Sequence, residues 1–549
     1  MRSGRAAATA AAVLVLGGLA GCSSDRGASR ADPGRKILRI AYDREIDVLN
    51  VFTSQNLVDI SFSMVEGLVT TNERNEYIPV LAREIPTEAN GLVVRRKDGS
   101  VRMTWPLQPS VRWHDGVPFT SADVCFTWRF VTDPKSMTYN REQYVGIKTC
   151  EMPDDHTVVF TWDGAYAYYA GLFEGILPRH VFMKADGRAE MTVDEIVDYE
   201  PYNRGSGLVG TGPFKFSEWK TGEYIRVVRN PDYWRGKEFP AIDEIVWAFI
   251  PDNNTRLLAL KSGRYDWGRI QPTQVSLVRN LPGSEVHLID ANSVMHFDLA
   301  VRTGLGQTLF DDLRVRRAIF HAIDRNGMAG KLMEGTVKVA EGPINPNSPY
   351  HNAKVTTYPY DLAQSRRLLD EAGWTLGPDG VRQKDGRRFS FVMLNRAGST
   401  DRILLAQVIQ AGLKAVGIEV NFETLESAAW TQRWRTGKWE AMVSAWFLPA
   451  DPGITGLYAC KGANNMAGFC DAALDEILER SDKALSFETR MPLLHEAQAR
   501  LAEAARTLPL YQNVMPEVVT KRVQGYRGSG TNFGSFWNLW QWRLAEAGK

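Results

Sequence analysis

The chain has 549 residues, 65 Lys+Arg against 64 Asp+Glu, a formal net charge of +1, and 44% hydrophobic residues. A chain of this length buries a large core and divides into more than one domain, and its composition is that of an ordinary globular protein. Balanced charge with no long basic stripe argues against a nucleic-acid partner, which needs clustered Lys and Arg to displace counterions.

At the N-terminus, Arg2 and Arg5 precede an apolar run from Ala6 to Ala20. A charged start, a short apolar stretch and small residues before a cleavage point predict a secretory signal peptide over 1–21. The run is too short to cross a hydrocarbon core of roughly 30 Å. Leu19-Ala20-Gly21-Cys22 resembles the lipobox of bacterial lipoproteins, which implies that Cys22 is lipidated and becomes the first residue of the mature chain. Acyl chains at ~0.8 kcal/mol per buried CH₂ then hold the protein at a membrane. Residues 22–35 are small, polar and Gly/Pro-containing and read as a flexible tether.

Export places Cys125, Cys150, Cys460 and Cys470 in an oxidising compartment, where they can form two disulfides. Three connectivities are open, and sequence neighbours are favoured: Cys125 with Cys150, Cys460 with Cys470. The shorter loop contributes roughly 2–3 kcal/mol if unstrained. No Cys-x-x-Cys pair occurs, so no zinc site is expected.

Past the tether, Ile37–Tyr42 alternates as a strand and Ser61–Val69 reads as a helix. Met103–Val117 reads as strand, turn, strand around Asp115-Gly116, with Ser121 capping the helix that follows and Asp123 in its first turn. Thr157–Trp162 is a strand, and Phe214–Trp219 and Tyr224–Arg229 read as a pair. Between these lies GSGLVGTG, 205–212, which lacks the Lys-Ser or Lys-Thr of a phosphate loop. Helices are expected over Asp311–Met328, Asp361–Glu371 and Ile403–Val416, with a strand over Ile418–Phe422. Mixed strands and helices throughout place the chain in the α/β or α+β class.

Catalytic motifs are near misses. His495-Glu496 lacks the second histidine of a zinc protease, no Gly-x-Ser-x-Gly elbow occurs, and the hairpin turn explains His114-Asp115.

Six segments, in order, carry a family resemblance. They are Glu66-Gly67-Leu68 with Pro79-Val80-Leu81-Ala82; Val111-Arg112-Trp113-His114-Asp115-Gly116 with Thr120-Ser121-Ala122-Asp123-Val124; Gly210-Thr211-Gly212-Pro213-Phe214; Asn230-Pro231-Asp232-Tyr233-Trp234; Arg314-Val315-Arg316-Arg317-Ala318 through Ala322-Ile323-Asp324-Arg325; and Leu508-Pro509-Leu510-Tyr511. Together they resemble the extracytoplasmic solute-binding proteins of ABC transporters, family 5, the peptide/nickel-binding group. The resemblance implies a two-lobe α/β fold of the periplasmic-binding-protein type (class II, large, with an extra inserted subdomain). Its expected parts are 36–55, 204–289 and 511–549 as lobe I, 56–203 as the insert and 290–510 as lobe II. It also implies hinge closure on a ligand, delivery to ABC permease subunits in the membrane, a monomer, no cofactor or metal, and no catalytic residue.

In the dipeptide-binding branch an arginine before a lobe II helix meets the ligand carboxylate, and Arg396 in LNRAGSTDR stands at the matching place. That branch also holds the peptide ammonium with an aspartate shortly after a cleft-strand tryptophan. Here Trp446 is followed by Phe447, Leu448 and Pro449, and Asp451 comes only beyond them. Trp446 is expected on the cleft wall; Trp430 and Trp434, at helical spacing, read as support. The expected function is capture of a peptide or similar small polar solute by a lipid-anchored protein facing the periplasm or cell exterior. The alternative is a sensory or chaperone-like lipoprotein of the same fold.

Overall fold

The structure is a computed structural model that describes residues 34–54, 59–138, 140–303, 306–398, 400–531 and 534–545. The expected signal peptide and Cys22 lie outside the described residues. The elements that organise the first part are strands β1 (Ile37–Tyr42), β2 (Val69–Thr71), β3 (Tyr77–Pro79), β4 (Val93–Arg95) and β5 (Val101–Pro106), helix α1 (Ser121–Thr132), and strands β6 (Ile147–Asp154) and β7 (Thr157–Trp162). Next come β8 (Phe214–Lys220), β9 (Tyr224–Arg229), β10 (Glu244–Phe249), β11 (Trp267–Arg269) and the 16-residue β12 (Ser284–Leu299). The second part holds α2 (Leu313–His321), α3 (Leu362–Glu371), β13 (Ser390–Arg396), α4 (Thr400–Lys414), β14 (Glu419–Leu425), α5 (Ser427–Arg435), β15 (Ala441–Phe447), α6 (Ala472–Asp482), α7 (Phe487–Glu503) and β16 (Thr507–Thr520).

One sheet runs through both halves in the order β14-β13-β15-β12-β16-β11-β1-β10-β9-β8. Its two largest hydrophobic cores among the described residues are separate. The first gathers Leu38, Ile40, Ile245, Trp247, Trp267, Phe536 and Trp542. The second gathers Phe297, Ile319, Phe391, Met393, Leu405, Ile409, Val443 and Leu508. Among the described residues of the sheet, β12 and β16 are the strands that pass from one to the other. Ser284–Asp290 pairs with Val514–Thr520 beside β11, and Ser293–Leu299 pairs with β15, the register shifting between Asp290 and Val294. This is a two-lobe α/β fold. A four-stranded sheet, β4-β5-β7-β6, with α1 against it is added to the first lobe. Cys125 of α1 is bonded to Cys150 of β6, and Cys460 to Cys470, with Cα–Cα separations of 5.7 Å and 4.4 Å.

Four expectations change. Met103–Val117 is a strand only as far as Pro106: the turn at Asp115-Gly116 is closed by a single bridge, Arg112 with Pro118, and no second strand forms among the described residues. Ser61–Val69 is not a helix: a single 3₁₀ turn spans Ser61–Ser63 and the chain is extended at β2. A Cβ on Gly67 would lie 2.3 Å from the Phe173 carbonyl, and Leu68 N–H donates to that oxygen, so the segment is apolar because it is enclosed. The helix expected over Asp311–Met328 stops at His321, and Asp324 caps a new turn by accepting from Gly327 N–H. At α1 the cap is Thr120: its N–H donates to the Asp123 carboxylate at 2.9 Å, while Ser121 Oγ donates to the Asp154 carbonyl.

The glycine stretch 205–212 serves close packing. A Cβ on Gly210 would meet the Met64 carbonyl oxygen, and one on Gly212 would lie 2.7 Å from it. His114 clamps this loop: its Nδ1 accepts from Gly210 N–H at 3.2 Å and its Nε2–H donates to the Gly212 carbonyl at 3.0 Å. Burial lowers its pKa from 6.5 to about 4. The unfolded chain therefore takes up this proton first as pH falls, so stability is full above pH 6.5 and declines towards pH 4. The expected loss is about 3 kcal/mol across that window. Denaturant midpoints at pH 7 and pH 5 check it: His114→Asn starts less stable but shows a shallower decline than the parent.

Candidate functional site

In open α/β sheets ligands bind beyond the carboxyl ends of parallel strands. In the second lobe β13 runs parallel to β14 and to β15, and their carboxyl ends bring Arg396, Leu425 and Phe447 to one edge. Arg396 is the last residue of β13; it is exposed, and its Nη2 donates to Ser427 Oγ at 2.7 Å. Its guanidinium lies 6.0 Å from the Trp430 ring centre.

An aromatic row leads away from it. Trp430 and Trp434, one turn apart on α5, are parallel with centroids 6.4 Å apart. Trp434 lies 5.8 Å from Trp446, which stacks on His296 at 6.4 Å. All three indoles are half-buried. Trp446 faces inward, towards Leu457 and Tyr458, as much as outward.

Arg402, in the first turn of α4, adds a second cation that the sequence reading missed. Burial, and then the charge of Arg396, lower its pKa. Among the described residues neither arginine is ion-paired with a carboxylate, while Asp401 in the same turn carries a carboxyl raised by burial. A cation in the first turn opposes the helix dipole, whose positive end lies there. One guanidinium at the end of β13 and one in the first turn of a 15-residue helix concentrate positive charge at this edge. The signal was legible as an arginine placed against the dipole.

Asp451 is differently employed. It forms an ion pair with Arg490 of α7, whose Nη2 also donates to the Pro452 carbonyl at 2.9 Å. Burial raises the Asp451 carboxyl, against the pull of Arg490. This pair lies where the inserted subdomain meets the second lobe. Tyr168 Oη donates to the Asp482 carboxylate at 2.5 Å, and Thr455 Oγ1 donates to the same oxygen at 2.9 Å. Arg490 stacks on the Tyr168 ring at 4.2 Å and on Tyr350 at 5.2 Å. A Cβ on Gly453 would lie 3.0 Å from the Tyr168 ring, so glycine permits the approach. Nearer the crossing strands, Asn75 accepts from Asn292 Nδ2 at 2.6 Å and Asn292 accepts from Asn345 Nδ2 at 3.1 Å.

The matching family model is that of the bacterial extracellular solute-binding proteins, family 5 Middle, over residues 76–468. The chain belongs to this family. It is 30% identical to Protein XP55 of Streptomyces lividans over 503 residues, 90% of this chain and 86% of that one. It is 26% identical to the oligopeptide-binding protein AppA of Bacillus subtilis (strain 168), over 82% of each. Among solved structures, NikA from Brucella suis in complex with Fe(III)-EDTA superposes with a TM-score of 0.77 at 25% identity, covering 91% of this chain and 98% of that one. The protein is thus an exported solute-binding protein of an ABC importer.

Removing Arg490 strands a buried carboxylate. Arg490→Met is expected to cost about 3–5 kcal/mol. Calorimetry should show a lowered unfolding temperature that adding Asp451→Asn largely restores.

Proposed function

We propose that this protein captures a small anionic solute, a peptide or similar polar molecule, between its lobes, with Arg396 and Arg402 holding the anionic group. The observation that carries the reading is the pair of guanidiniums at the end of β13 and in the first turn of α4, without a carboxylate partner among the described residues. A planar guanidinium meets a carboxylate through two parallel N–H···O bonds. Trp446 and the Trp430–Trp434 row supply an apolar flank beside it. Asp451, paired with Arg490, is a support of the lobe contact and not a free anchor for an ammonium group. An unpaired ammonium would cost several kcal/mol to bury, so the favoured ligand presents its anion and keeps any amine in water.

The reading extends to the lobe limits 36–55, 204–289 and 511–549 for lobe I, 56–203 for the insert and 290–510 for lobe II. It includes anchoring through a lipidated Cys22 as a monomer.

Mass spectrometry of molecules carried through purification identifies the ligand, and calorimetry measures its affinity. Arg396→Ala and Arg402→Ala are each expected to weaken binding about tenfold to a hundredfold, the worth of a hydrogen bond to a charged group, with the fold intact. Recovery of molecules without an anionic group, or unchanged affinity in both variants, defeats the proposal. For the anchor, Cys22→Ser is expected to move the protein from the membrane fraction to the soluble one. Retention in the membrane fraction refutes lipidation at this residue.

A further inference from the structure

The first lobe holds a cavity of about 310 Å³ that the interlobe site does not use. It lies among the hairpin β2–β3, the stretch 62–67 and the C-terminal stretch 536–541. Phe62, Trp537 and Trp540 give it flat apolar walls. Its charged groups are Arg74, Arg235 and Arg527 against Glu66, Glu73 and Glu174, so net charge does not select a ligand. What selects is which group has hydrogen-bonding capacity left.

Glu66 has little. It accepts from Tyr233 Oη at 2.7 Å, Trp234 Nε1 at 2.9 Å and Thr211 Oγ1 at 3.0 Å. Arg527 stacks on Trp537 at 4.6 Å, donates to Gln541 Oε1 at 2.5 Å and faces Glu73 at 3.8 Å. Arg74 is paired with Glu76 at 2.7 Å. Arg235 differs. Its guanidinium sits between two indoles, 4.2 Å from Trp234 and 4.7 Å from Trp540, and its Nε donates to Tyr233 Oη at 3.2 Å. Among the described residues its terminal nitrogens have no hydrogen-bond acceptor.

Such a guanidinium is held in place before any ligand arrives, so little rotamer entropy is lost on binding. Its open edge fits two carboxylate oxygens, and the indole and phenyl walls fit a flat apolar body. We propose that this cavity is a second binding site, for an aromatic monocarboxylate, with Arg235 as its anion contact. The inference does not rest on the interlobe reading.

Calorimetry of the purified full-length protein with 2-naphthoate and its neutral isostere 2-naphthamide tests it. The acid is expected to bind at least tenfold more tightly than the amide. Arg235→Gln should remove that preference, and Trp540→Ala should weaken both probes. Arg396→Ala, which disables the interlobe anion contact, should keep the preference. A crystal soaked in 2-naphthoate should show it against Trp540. Equal affinities for acid and amide, no binding, or a preference lost in Arg396→Ala and kept in Arg235→Gln each overturn the proposal.

Discussion

The antiparallel pairing of β12 with β16 is the interaction on which the rest depends. These strands of 16 and 14 residues are the sheet connection between two cores that are otherwise separate. Their ladder runs unbroken from Ser284 to Asp290 and resumes at Val294, with a second register shift between Met295 and His296. A shift in register locally increases twist and bends the strand. Bending there would change the angle between lobes while leaving each core packed, which is how a hinge differs from a break. Ligand-driven closure requires differential affinity for the closed form, and the interlobe edges are where it can arise.

Charge is distributed across the interlobe region in a consistent way. The carboxylates at the insert contact, Asp451 and Asp482, are consumed by Arg490, Tyr168 and Thr455. The guanidiniums at the carboxyl edge of β13 and the start of α4 lack such partners among the described residues. The first region holds the lobes in contact; the second has guanidiniums to offer to an anion. Tyr168, shortly after the four-stranded sheet, thereby ties the first lobe to the second.

Strands such as Ile37–Tyr42, Thr157–Trp162 and Tyr224–Arg229 were legible because alternation with period two survives wherever a sheet has unequal faces. Ser61–Val69 misled because enclosure on all sides makes a segment apolar without any helical reason. The break after His321 depended on Asp324 as a cap, a local signal hidden inside a strong periodic pattern. At the candidate site, Arg396 could be proposed from its position in a motif. The pairing of Asp451 with Arg490, 39 residues further on, could not, because no local pattern reports a contact made by tertiary packing. The indole stack on Arg235 was invisible for the same reason: Trp540 lies some three hundred residues away along the chain.

Both disulfides join consecutive cysteines, at sequence separations of 25 and 10. A polypeptide threaded through a membrane pore with its N-terminus leading presents cysteines one at a time, in order. With this connectivity each of these four thiols has its lasting mate as a sequence neighbour, so neither bond has to wait for distant parts of the chain to meet.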